Sequence, residues 1–278
     1  MIPPIASRFV AGETDSAAIE HTKSINQDGI AGILNLLGEH YTERAPADED
    51  RNAYLDLIDR VAGSSVEACI SIKPSQIGLD VAPHVFQENL EEIVTHAADQ
   101  DVFVWIDMED HETTDPTLDG FENMTTKHDG GVGICVQANL KRTEKDLRRL
   151  SDLPGKVRLV KGAYDEPENI AYQRKDRVDE AYRERLRFMF ESFDDGIAVG
   201  SHDPAMVTLA RELHEEYGTP FEIQMLMGVR EDAQRELASE YDVYQYIPYG
   251  DKWLSYFYRR VMERKENLLF ALRAIFSK

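Results

Sequence analysis

Arg259 and Arg260 stand side by side at the end of YIPYGDKWLSYFYRR (residues 246–260), one turn beyond aromatic residues in an otherwise acidic chain. On a helix the two are about 100° apart around the axis, so two guanidinium arms converge on one anion while their Cα atoms stay separate. Glu263 falls four residues after Arg259 and three after Arg260, where it can hold either of them. Tyr256 lies one turn earlier on the same side. A solvated ion-pair face is the ordinary alternative, worth about 0.5 kcal/mol, but WLSYFY is too apolar to face water. The pattern points to a carboxylate ligand held by bidentate arginine.

A second set of polar residues ends or interrupts apolar runs: Lys73, Asp107 and Glu109, Gln137, Arg158 and Lys161, His202 and Asp203, Gln224, and Tyr246. A polar group in such a place needs a partner or a ligand, because leaving it unpaired is costly. Taken singly, each could equally cap a strand or fill a barrel layer, and His202 and Asp203, in SHDP, also suit a helix cap. Asp107 and Glu109 are two apart and share a strand face, which would suit a metal. No histidine stands nearby in sequence at ligand spacing, so no metal is assigned. Lys161, in RLVKGAY, or Lys73 could form a Schiff base with a carbonyl substrate, which keeps an aldolase-type lyase open.

The elements that must position these residues are legible as apolar, β-branched runs bounded by turn residues. Eight candidate strands fall at 29–38, 67–75, 101–110, 131–140, 156–164, 195–203, 220–228 and 243–250. Most are continuous apolar runs rather than alternating ones, which favours strands buried on both faces. Amphipathic segments such as APHVFQENLEEIVTHAADQ, DRVDEAYRERLRFMFESF and DPAMVTLARELHEEYG lie between them, several with capping residues at their ends. Strand and helix alternate eight times, which predicts a single (β/α)8 TIM-type barrel over residues 1–278. Residues 1–28 form a helical lead-in, and a last helix runs from about Lys252 to Phe276. A doubly wound sheet competes, but its GxGxxG signature is missing, and the GxG at 131–133 enters a strand instead of leaving one.

Composition narrows the partners. With 31 basic and 52 acidic residues the formal charge is −21, which repels phosphate backbones and excludes nucleic acid as a natural partner. The acidity is spread along the chain, as expected of a surface adapted to high salt. Cys69 and Cys135 sit in apolar stretches without CxxC spacing and read as core residues. No charged leader and no apolar run of about 20 residues is present, so the expected location is the cytoplasm.

Several segments together resemble the proline dehydrogenase family: IKPSQIG (72–78), WIDMED (105–110), QANLKRTEKDL (137–147), VRLVKGAYxEP (157–167), EIQMLMG (222–228) and YxPYGxxWxxYFxRRxxE (246–263). The resemblance implies a distorted (β/α)8 barrel that uses FAD to oxidise L-proline to Δ1-pyrroline-5-carboxylate and passes electrons to a quinone. It implies that Arg259 and Arg260 bind the proline carboxylate, with Tyr246, Tyr256 and Leu226 around the ring. Lys73 and Asp107 would border substrate and flavin as the catalytic pair. Arg158, Lys161 and Gly162 would face the isoalloxazine and pyrophosphate, with Gln137, Ser201, His202, Gln224 and Glu263 as further FAD contacts. Asn139, where an aromatic is expected, GSHD in the sixth strand and Asp165 depart from the family pattern. Hand-off of the product to a separate pyrroline-5-carboxylate dehydrogenase and weak peripheral membrane contact at the inner face are also implied. RRVMERKENLLFALRAIFSK is basic and apolar enough to touch a membrane, although packing on the barrel is the simpler reading. A flavin or amino-acid binding protein without catalysis is the remaining alternative.

Overall fold

The computed structural model describes residues 2–3 and 6–263, the side chains of 259–263 excepted. A 3-10 turn at Ala6–Arg8 and helix α1 (Asp15–Asn26) lead into β1 (Ile30–Leu36). There follow α2 (Arg44–Ala62), β2 (Ala68–Ile72), α3 (Pro83–Asp99), β3 (Val104–Ile106), α4 (Thr114–His128) and β4 (Val132–Gln137). The second half repeats the pattern with α5 (Thr143–Leu150), β5 (Lys156–Val160), α6 (Lys175–Ser192), β6 (Ile197–Gly200) and α7 (Pro204–Tyr217). It ends with β7 (Phe221–Leu226), α8 (Glu231–Leu237), β8 (Asp242–Tyr249) and α9 (Trp253–Glu263). Each strand pairs in parallel with the next, and β8 returns to β1 in register from Ile30↔Val243 to Leu36↔Tyr249. The result is the closed (β/α)8 barrel that the alternation predicts.

The strands are buried on both faces because two cores use them. Outward residues such as Leu34, Ile70, Ile106, Leu159 and Ile223 pack against Tyr54, Phe86, Phe121 and Tyr182 of the helices in one continuous cluster. Inside the barrel Ile33, Cys69, Trp105 and Ala198 form a smaller layer, flanked by Phe103, Tyr244 and Tyr246. Both cysteines are buried and free, in agreement with their apolar settings.

The differences lie at the ends. The third strand is three residues long rather than ten, with residues 101–103 in the approach to it and 107–110 running on to the mouth of the barrel. Asp203 caps α7 by accepting from Ala205 N at 3.0 Å, ahead of Pro204, as SHDP suggests. The extension of the last helix to Phe276 lies outside the described residues, as does most of the basic apolar tail. Among the described residues no helix is long and apolar enough to cross a membrane.

Candidate active site

The carboxyl ends of the strands converge on Asp107. Its Oδ2 accepts from Lys73 Nζ at 2.8 Å and from the Tyr246 hydroxyl at 2.7 Å. Its Oδ1 accepts from Ser71 Oγ at 2.8 Å and from Arg158 Nη2. Four donors from β2, its following loop, β5 and β8 therefore meet one carboxylate that is nearly buried. Burial alone would raise its pKa, but the charges of Lys73 and Arg158 and the hydrogen bonds from Lys73 and Tyr246 carry it below the ordinary carboxylate range. For Lys73, burial pulls downward and the Asp107 charge overrides it, so the ammonium is held well above its usual pKa. The Tyr246 hydroxyl is pushed up by burial and by Asp107 and stays protonated.

This electrostatic arrangement decides between two of the chemistries open from sequence. A Schiff-base lysine must be available as the neutral amine. Lys73 is locked as a cation, and Lys161 is turned to Asp179 and to Asp203, the latter at 2.7 Å. The site instead holds two cations, the half-buried Lys73 and the buried Arg158, sharing one carboxylate, and suits an anionic ligand.

Arg158 is fixed on three sides. Nη1 donates to Gln224 Oε1 at 3.0 Å, Nη2 donates to Asp107, and the guanidinium lies 4.9 Å over the Trp105 ring. The structure thus brings Lys73, Asp107, Arg158, Gln224 and Tyr246 into one network. Leu226 ends β7 beside it, and its backbone N–H donates to His202 Nε2 at 2.8 Å. That bond leaves Nδ1 of a neutral His202 as the protonated nitrogen. Ser201 Oγ accepts from Asp203 N at 3.2 Å. Gln137, ending β4, donates to the Glu109 carbonyl at 2.8 Å and supports the mouth loop.

Tyr256 packs with Val10 and Leu37 in a satellite cluster between α9 and the lead-in. Arg259, Arg260 and Glu263 continue α9, but their side chains lie outside the described residues.

Other polar groups stand at the mouth, of which Tyr164, His40 and Glu166 escaped the sequence reading. Burial raises the pKa of the Tyr164 hydroxyl, which lies within the electrostatic reach of Lys73, Glu109 and Asp107. Glu109 is wholly buried, accepts from Ser75 N and Ser75 Oγ at 2.7 Å each, and has its pKa raised by burial. His40, remote in sequence, comes beside it: Glu39, His40 and Glu109 have ligand atoms within 4.8 Å of one another. Spacing along the sequence does not show this approach, which the fold makes. His40 Nδ1 is already paired with Asp80 at 2.9 Å and both Glu109 oxygens with Ser75. Glu166, also buried, accepts from His111 N at 2.8 Å and meets its ring, tying the loop after β5 to the loop after β3.

Comparison with known proteins now adds to this geometry. The proline dehydrogenase family model matches residues 18–273. The chain belongs to the proline dehydrogenase family. Proline dehydrogenase 1 of Bacillus subtilis (strain 168) is 34% identical over 277 residues, covering 98% of this chain and 91% of that protein. The proline dehydrogenase of Deinococcus radiodurans is 35% identical over 279 residues, covering 98% and 90%. The crystal structure of proline utilization A (PutA) from Bdellovibrio bacteriovorus inactivated by N-propargylglycine superposes with a TM-score of 0.86 at 23% identity. It is matched over 98% of this chain, which spans only 34% of that longer one.

The family implies a flavin, and the residues at the end of β5 fit one. Asn139 Oδ1 is buried without a hydrogen-bond partner beside Gly162, an orphaned acceptor that a ring N–H donor would satisfy. Gly162 has φ +109°, and a Cβ there would collide with the Asn139 side chain. Lys161 has a third donor beyond its two carboxylates, and Arg158 keeps donors beyond Asp107 and Gln224, so both can also meet an anionic group.

Proposed function

We propose that this chain, as a single barrel domain, oxidises L-proline to Δ1-pyrroline-5-carboxylate with FAD, and passes the electrons to a quinone. Family membership supports the substrate. The observation that carries the chemistry is the pair of cations, half-buried Lys73 and buried Arg158, sharing the single buried carboxylate of Asp107.

When bound, FAD supplies the acceptor for the hydride from the proline carbon next to nitrogen. That hydride leaves only when the amine is neutral and its lone pair can form the developing imine. A buried site with excess positive charge favours loss of the amine proton. Asp107 is held too acidic to keep a proton itself, so it serves to orient Lys73, Arg158 and Tyr246. Arg259 and Arg260 fix the substrate carboxylate, with Leu226, Tyr246 and Tyr256 around the ring, so that catalysis proceeds by orientation. Gln137, Arg158, Lys161, Gly162, Ser201, His202, Gln224 and Glu263 would hold the FAD, and the fixed positive charge of Arg158 would favour its acceptance of negative charge.

A membrane quinone is the electron acceptor in this reading, reached by peripheral contact from the cytoplasm, and the product goes on to a separate pyrroline-5-carboxylate dehydrogenase. The test is the visible spectrum of the protein with added FAD, before and after anaerobic addition of L-proline. Bleaching of a bound flavin band is expected; a bound band that proline leaves unchanged overturns the substrate assignment. In steady-state turnover of L-proline Arg259→Met or Arg260→Met should cost about 2–5 kcal/mol in kcat/KM, the scale of truncating one side of a buried charge contact. Unchanged values in both variants would remove the carboxylate clamp.

A further inference from the structure

The network around Arg158 does not stop at Gln224. Gln224 Nε2 donates to Glu222 Oε1 at 2.6 Å, and the other oxygen of Glu222 takes Lys156 Nζ. Glu222 and Gln224 are two apart on β7 and share its inward face. Lys73, Asp107, Arg158, Glu222 and Lys156 thus alternate in sign down the barrel, with the Gln224 amide as the one neutral link. The lower end opens on a recess of about 430 Å³ at the amino ends of the strands, lined by Phe103, Gly155, Lys156, Glu222 and Asp242 among others. That recess is opposite the candidate active site.

An amide has a donor end and an acceptor end, and an unassisted glutamine can turn either way. A carboxylate accepts and never donates, so Glu222 requires Nε2 to face it, and Oε1 then faces Arg158. With the amide reversed, Nε2 would meet a guanidinium that has only donors. Room for the Arg158 stem depends on the neighbouring strand: a Cβ on Gly200 of β6 would sit 3.2 Å from Arg158 Cγ. We infer that Glu222 is a positioning residue, which locks the Gln224 amide in the orientation that presents its oxygen to Arg158. Through that amide a charge at the barrel floor sets the pose of the cation at the active site. Only the flavin arm of the test below rests on the proposed function.

The first arm needs no flavin. Unfolding of the full chain in denaturant is measured for Glu222→Gln, Arg158→Met and the double variant, and again for all three with Gln224→Met. Glu222 and Arg158 should couple by roughly tenfold in the folding equilibrium, the scale of one hydrogen bond to a charged group. The coupling should vanish with Gln224→Met. Equal coupling in both backgrounds would mean a through-space charge effect and overturn the inference, as would no coupling at all. If Glu222→Gln fails to fold, Glu222→Gln with Lys156→Met, which removes the floor ion pair as a unit, takes its place.

The second arm titrates FAD into apoprotein. Glu222→Gln and Gln224→Met should each weaken binding roughly tenfold, and the double variant no further, because they act through one amide. Additive losses would overturn the inference. Native protein that binds no FAD would overturn the proposed cofactor, while the unfolding arm still decides the role of Glu222.

Discussion

Asp107 is the residue on which the site turns, and its charge has a sign that can be tested. A carboxyl held below its ordinary range stabilises the fold above the unfolded value of about 3.9 and loses that contribution as pH falls below it. Lys73, held above its ordinary range, contributes below about 10.4 and loses that as pH rises through its folded value. Between these limits both contributions are complete. Asp107→Asn leaves Lys73 and Arg158 buried without their counter-charge, and should cost about 3–5 kcal/mol of stability at pH 7. The deficit relative to the native chain should shrink as the pH falls below about 4, where Asp107 itself begins to lose its advantage. Urea unfolding at neutral and acid pH checks this. A deficit of equal size at both would mean that packing, not charge, is the origin.

Strands position these side chains by layering inside the barrel, and one tight layer is β3 against β4. Trp105 is paired in register with Gly133, and a Cβ on Gly133 would lie 2.5 Å from Trp105 Cζ3. Gly133→Ala should therefore push the indole toward Arg158, which lies 4.9 Å over it, and cost about 1–3 kcal/mol by overpacking. An unchanged thermal midpoint would show that the layer has slack. The same strands explain what was legible beforehand. Continuous apolar runs mark strands covered on both faces, and polar residues that close such runs mark the mouth, so Lys73, Asp107, Gln224 and Tyr246 could be picked from spacing alone. Ser71 and Glu222 sit two residues before Lys73 and Gln224, and strand period alone could have found them. His40 beside Glu109, His111 on Glu166 and Asp179 on Lys161 could not, because loops and helices far apart in sequence create those contacts. The packing of Tyr256 on Val10 could not be read either, because the lead-in that carries Val10 is remote in sequence.

At the scale of the whole molecule the governing quantity is the charge of −21. Arginines on α5 and in the loop before it gather acids from α4 and from α5 itself: Arg149 holds Asp119 and Glu122 of α4, and Arg142 holds Asp115 of α4 and Asp146 of α5. Such pairs use the cations efficiently, yet 31 cations cannot pair with 52 carboxylates one to one. The excess repels itself over distances that salt screens, with a Debye length of about 10 Å at 0.1 M and about 3 Å at 1 M. Salt also weakens the exposed pairs, but those are worth at most about 1 kcal/mol each and most lie closer together than the screening length. The long-range repulsion should dominate the response, so the thermal midpoint should rise as potassium chloride is raised from about 0.1 to about 1 M. Potassium chloride is the informative salt, because sulfate would stabilise almost any fold by exclusion from its surface. A midpoint that falls with potassium chloride would show that local ion pairs such as those of Arg142 and Arg149 outweigh the net charge, and would remove the case for adaptation to high salt.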